Sequence, residues 1–158
     1  MKVTHRMQWV RPIMIIEDDM DDQELLRETF CGLDYPNPVI FFSDGNEALN
    51  YLRQTSAPPV LIISDINMPK INGFEIRRII NTTPELRKLN MPFVFLSTLS
   101  QKDAGADAYF ATDHGFFTKP YSMADLRNTI KSIVEYWVHR HTPALYVRST
   151  EQGNYLIR

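Results

Sequence analysis

The run Val60-Leu61-Ile62-Ile63-Ser64-Asp65-Ile66-Asn67-Met68-Pro69-Lys70 decides how the rest of the chain is read. An apolar segment of strand length stops at one carboxylate, and a turn-rich loop follows. In a parallel α/β sheet, ligands bind outside the carboxyl ends of the strands. Asp65 is therefore placed to do chemistry. Two further strand ends carry matching groups: the acids Glu17-Asp18-Asp19 and the cation Lys119.

Working outward, strand-like and helix-like segments alternate. Ile13-Met14-Ile15-Ile16 is a continuous apolar run, as in a strand buried on both faces. Residues Asp21 to Phe30 read as a helix with acids in its first turn, where they suit the helix dipole, and Gly32 as its stop. Val39 to Phe42 is the next strand. Asp44 and Glu47 have capping-box spacing and open a helix carrying Ala48, Leu49 and Leu52. After the Asp65 loop, Asn72-Gly73 reads as a turn and Phe74 to Ile80 as a short helix. Thr83-Pro84 starts another helical piece. Phe93 to Leu96 is a strand, Lys102 to Ala111 a weak helix containing Gly105, and Gly115 to Thr118 a strand ending at Lys119-Pro120. Ser122 and Asp125 repeat the capping-box spacing and open a helix to about His139. The alternation predicts a flavodoxin-like three-layer α/β/α fold with a parallel five-stranded sheet of order 2-1-3-4-5.

Composition narrows the class. With 158 residues, 44% of them apolar, the chain suits one domain with a sizeable core. A net charge of −2, with acids and bases mixed, argues against direct nucleic-acid binding. Cys31 is the only cysteine, so no intramolecular disulfide is possible and a cytoplasmic setting is expected. No stretch is long and apolar enough to span a membrane.

Each candidate residue has a bland reading. Glu17, Asp18 and Asp19 precede a helix and could simply cap it. Asp65 could be a lone buried acid, Lys119 a surface lysine, and Ser97 a strand-terminating hydroxyl. Together they read differently. Strands 1 and 3 are neighbours in the expected order, so Asp65 would join the first acids. Clustered carboxylates repel unless a cation sits among them, and hard oxygens with room for water suit Mg²⁺. A fixed ammonium beside them would neutralise charge on an incoming phosphoryl group. Pro69 and Gly73 shape the loop, and Asn67 can present a main-chain carbonyl.

The set Glu17-Asp18, Asp65-Ile66-Asn67-Met68-Pro69, Gly73, Ser97 and Lys119-Pro120 resembles the receiver domain of two-component response regulators, from about Ile13 to Trp137. The acidic stretch and the Asn67-Met68-Pro69-Lys70 loop are similar to stand-alone receivers, including those paired with bacterial phytochromes. The resemblance implies that Asp65 is the phosphoacceptor. It implies that Asp18 ligates Mg²⁺ directly, Glu17 through a water, and Asn67 through its carbonyl. Lys119 would pair with Asp65 and then with the phosphoryl group. Ser97 would be the switch hydroxyl and Phe116 the switching aromatic. The Lys119-Pro120 peptide would be cis. Asp19, third in the acidic run, would be solvated or helix-capping. Asn67 and Leu99 would flank the path of the hydrolytic water. Such a domain is no enzyme in the usual sense, since it catalyses only its own phosphorylation and dephosphorylation. Its implied partners are a sensor histidine kinase or phosphotransfer protein and a downstream protein target.

The expected organisation is an N-terminal extension (1–10), a receiver domain (11–139) and a tail (140–158). The tail reads as a hairpin, an arm pairing with a second protomer in a homodimer, or a mobile segment. It is too short for a DNA-binding output domain. Two rivals stay open at this stage: a Mg²⁺-dependent phosphohydrolase with an aspartyl nucleophile, and a receiver-shaped binding module independent of phosphorylation. The first usually wants a second Asp where Asn67 stands.

Overall fold

The computed structural model describes residues 10–100, 102, 105 and 115–141, with side chains to residue 138. Five strands form one parallel sheet: β1 (Ile13–Ile16), β2 (Val39–Phe42), β3 (Leu61–Ser64), β4 (Phe93–Ser97) and β5 (Phe116–Thr118). Their order is β2-β1-β3-β4-β5, as the alternation predicts. Among the described residues the helices are α1 (Met20–Leu33), α2 (Gly45–Gln54), α3 (Gly73–Thr82), the single turn α4 (Pro84–Arg87) and α5 (Met123–His141).

The three layers follow from period-two alternation along the central strands. Met14, Ile16, Ile62 and Phe95 face a core shared with Leu49 and Leu52 of α2 and Ile76 and Ile80 of α3. Ile13, Ile15, Leu61, Ile63, Val94 and Leu96 face the other core, with Leu26 and Phe30 of α1 and Leu126, Ile130, Ile133 and Val134 of α5. Both faces of β1 and β3 are covered, which is why these strands are apolar without interruption. Each such buried side chain is worth about 1.5–3 kcal/mol.

Local chemistry sets the element ends, with some departures from expectation. Gly32 does not stop α1. The helix continues through it to Leu33, and Asp34 takes the left-handed turn at φ 52°. Gly32 instead makes room: the Arg127 guanidinium of α5 donates to its carbonyl at 2.6 Å, where a Cβ would collide. Asp44 caps α2 by accepting from the Asn46 N–H. The complete capping box lies at α3, between Asn72 and Glu75, where a simple turn was expected. Ser122 accepts from the Asp125 N–H at 3.1 Å at the start of α5. The Lys119-Pro120 peptide is trans, since no cis bond occurs among the described residues. Trans is the lower-energy isomer even before proline. The expected Lys102–Ala111 helix, the N-terminal extension and the tail beyond His141 lie wholly or largely outside the described residues.

Candidate functional site

The sheet ladder carries the acids to their positions. The Glu17 N–H donates to the Phe42 carbonyl and the Asp65 N–H to the Ile16 carbonyl, each at 2.9 Å. These bonds continue the β2-β1-β3 pairing one residue past the strands. The acids that follow β1 and β3 are thus fixed side by side on rigid backbone. Across the sheet, the Lys119 N–H donates to the Ser97 carbonyl at 2.8 Å, joining the ends of β4 and β5 in the same way.

Carboxylate oxygens of Glu17, Asp18 and Asp65 lie within 4.8 Å of one another. Asp19 is outside this group. Its Oδ1 accepts from the Asp22 N–H at 2.9 Å and caps α1. Lys119 reaches into the centre from β5. Its Nζ lies 2.5 Å from Glu17 Oε2, 2.7 Å from Asp22 Oδ2 and 3.6 Å from Asp65 Oδ2. Asp65 Oδ1 is held separately by the Ile66 N–H at 2.7 Å. The donor set is three hard carboxylate ligands, with Asp18 half-buried, which fits a divalent cation such as Mg²⁺.

Burial sets the electrostatics. Glu17 is 1% exposed, and loss of hydration pushes its carboxyl up to about 7, with Lys119 only partly offsetting this. Burial also works against the charge on Lys119. Its hydrogen bonds to Asp22 and Glu17 outweigh that, so the ammonium is held above its ordinary range and stays charged.

The loop after β3 is built to approach Asp65. The Ile71 N–H donates to the Pro69 carbonyl at 2.8 Å, and Lys70 between them has φ 67°. Lys70 Nζ is tied to Asp44 Oδ2 at 2.7 Å. The Gly73 N–H donates to the Ile66 carbonyl at 2.9 Å, closing the loop. Asn67 stands exposed in this loop, two residues past Asp65.

Ser97 is fully buried. Its Oγ accepts from the Leu99 N–H at 3.2 Å and keeps a proton to donate. Phe116 is half-buried and packs on Phe95, with ring centroids 6.1 Å apart. Pro120 lines a cavity of about 220 Å³ beside Lys119, with Asp22, Leu25, Leu26 and Tyr121 among the other walls.

Two residues in the site's frame escaped the sequence reading. Asp22 reads there as one more dipole-facing acid of α1, yet it is a direct partner of Lys119. Gln23, 3% exposed, donates from Nε2 to the Glu17 carbonyl at 2.6 Å and to Ser43 Oγ at 3.0 Å. It braces the β1-α1 turn against the β2-α2 turn. For Gln23 the only signal is an amide one turn into an otherwise acidic helix start; Asp22 offers none.

Comparison with known proteins bears on this geometry. Residues 13–131 match the model of the response regulator receiver domain. The chain is 30% identical over 130 residues to the probable methanogenesis regulatory protein FilR2 of Methanothrix harundinacea, covering 80% of this chain and 83% of that one. It is 28% identical over 135 residues to response regulator Rcp1 of Synechocystis sp., covering 82% and 90%. Among solved structures, the phosphorylated cyanobacterial phytochrome response regulator RcpA superposes with a TM-score of 0.73 at 31% identity, covering 84% of this chain and 96% of that one. The Mn²⁺-bound form of Rcp1 gives a TM-score of 0.71 at 28% identity, covering 85% and 99%. The family match runs through all five strands and takes in the whole acidic centre, so the chain belongs to the receiver domains of response regulators, the signalling domains of two-component systems.

Proposed function

We propose that this receiver accepts a phosphoryl group on Asp65 from a phosphohistidine donor, and passes the signal to a protein partner by a change of conformation. The observation that carries this reading is the convergence of Glu17, Asp18 and Asp65 within 4.8 Å, with the Lys119 ammonium 3.6 Å from Asp65. Glu17, Asp18, Asp65 and the Asn67 carbonyl would hold Mg²⁺. Bound there, Mg²⁺ supplies positive charge to the oxygens of the transferring group. The Mn²⁺-bound form of Rcp1 and the phosphorylated state of RcpA support the metal and the phosphoryl parts of this reading.

The chain's own residues do the following. An Asp65 carboxylate oxygen attacks phosphorus in line; the new O–P bond forms as the donor's N–P bond breaks, and the imidazole leaves as a neutral ring after taking up a proton. Lys119 moves its charge towards the equatorial oxygens. Ser97 donates its hydroxyl proton to one of them. Phe116, packed on Phe95, is the side chain placed to report the change through the core that faces α2 and α3. The equilibrium between two conformations is then biased by the new contacts of the phosphoryl group. The phytochrome association of RcpA makes a phytochrome-type histidine kinase the first donor to try.

The test is intact mass after incubation with Mg²⁺ and acetyl phosphate. Wild type gains one phosphoryl group, while Asp65→Asn and EDTA-treated protein gain none. Phosphate on Asp19 or on a histidine would overturn the assignment. Turnover of small phosphate esters would favour a phosphohydrolase instead.

A further inference from the structure

Lys119 has three ammonium protons and three carboxylates around it. It makes hydrogen bonds to two of them, Glu17 at 2.5 Å and Asp22 at 2.7 Å. The phosphoacceptor is the one it does not hydrogen-bond, at 3.6 Å. A phosphoryl group on Asp65 brings further anionic oxygens that need this cation. For Lys119 to serve them, an existing contact must loosen.

Burial decides which. The Glu17 side chain is 2% exposed. Water cannot reach a carboxylate at that depth to take the place of Lys119, so this contact is costly to break. The Asp22 side chain is 33% exposed. Water can replace Lys119 there at small cost, because partly exposed ion pairs contribute little. Asp22 is also anchored independently of the lysine, since its N–H is held by the Asp19 cap. Releasing the side chain leaves the first turn of α1 intact.

We infer that Asp22 is a positioning residue that acts through Lys119: in the resting receiver it draws the ammonium away from Asp65, and it gives the lysine up when a phosphoryl group arrives. Asp22 then competes with the phosphoryl group for one cation and lowers occupancy of the phosphorylated state. Glu17 keeps its contact with Lys119. This inference rests on the receiver reading of Asp65.

Beryllium fluoride with saturating Mg²⁺ serves as the phosphoryl mimic, and its affinity is read by NMR titration of the full chain. Asp22→Asn should bind it about two- to fivefold more tightly, the order expected when one partly exposed ion pair is removed. Asp21→Asn removes the same charge from an exposed position on the same turn and should leave affinity unchanged. In wild type, the mimic should shift the Asp22 side-chain carboxyl carbon to the position of a free carboxylate, and leave the Glu17 carboxyl carbon where it was. The wild-type measurement stands even if Asp22→Asn folds poorly. An unmoved Asp22 signal, no tightening in a folded Asp22→Asn, or equal tightening in Asp21→Asn would overturn the inference alone. Failure of wild type to bind the mimic at all would overturn the receiver reading with it.

Discussion

Gly73 stands against Asp65 so closely that a Cβ on Gly73 would lie 2.3 Å from the Asp65 carbonyl oxygen. No flexible side chain can yield there, because the obstructing atom is backbone. The same glycine donates its N–H to the Ile66 carbonyl and begins α3 beneath the ring of Phe95. Gly73→Ala must therefore push the β3-α3 loop off the site. The expected loss is about 1–3 kcal/mol of stability, the range of overpacked positions, together with slower phosphoryl uptake. Urea unfolding and the acetyl phosphate assay measure the two. Wild-type values in both would show that the loop shifts without consequence for Asp65.

Asp18 and Asp19 are adjacent acids with separable work. Asp18 shares the cluster with Glu17 and Asp65, while Asp19 caps α1. Asp18→Ala should weaken Mg²⁺ binding strongly. Asp19→Ala should leave Mg²⁺ affinity near wild type but lower stability by about 1 kcal/mol, the usual worth of an N-cap. Mg²⁺ titration and thermal unfolding of both variants decide it. Equal losses of Mg²⁺ affinity would mean that the acidic pair has been assigned one residue out of place.

What the sequence makes legible, and what it hides, follows from how local each signal is. The strands are continuous apolar runs because both faces of the sheet are covered, and a run of four Ile/Met residues needs no partner to be recognised. Glu17, Asp18 and Asp65 stand at ends of such runs, so the adjacency of β1 and β3 brings them together, while Lys119 reaches them from β5 on the far side of β4. Asp22 carries no such mark. Its contact with Lys119 spans 97 residues and depends on how α1 leans over the end of β5. Gln23 is hidden for the same reason. Gly32 misleads because a glycine near a helix end is a stop signal, whereas here its missing side chain admits Arg127. At Asn72 a turn dipeptide masks a reciprocal cap that becomes visible only with Glu75 in place.

Glu17 gives the metal-free protein a pH dependence. Its folded-state pKa is raised from 4.5 to about 7, so between those values the folded state binds more protons than the unfolded state. Stability then falls as pH rises from about 4.5 to about 7 and levels off above. Glu17→Gln cannot titrate and should lack this component. Urea unfolding in EDTA across that range, wild type against Glu17→Gln, isolates it. Parallel profiles for the two proteins would show that Lys119 neutralises the cost of burying Glu17 at every pH.

Leu99 bears on how long a phosphoryl group would persist. Its N–H is spent on Ser97 Oγ, and its half-buried side chain packs against the core that includes Phe95 and Phe116. By resemblance, this position and Asn67 flank the approach of the water that hydrolyses the acyl phosphate. A leucine has no group to orient that water, so slow self-dephosphorylation is expected. On that resemblance, Leu99→Gln or Leu99→Glu would offer a hydrogen-bonding group to the water and should speed decay. A general base or positioned acceptor typically contributes about 10²–10⁴-fold where geometry is ideal, and a side chain half-buried against the core should reach only the lower part of that range. The measurement is the decay of phosphorylated protein by intact mass after donor removal, at constant Mg²⁺. Unchanged or slower decay in both variants would show that residue 99 does not face the site.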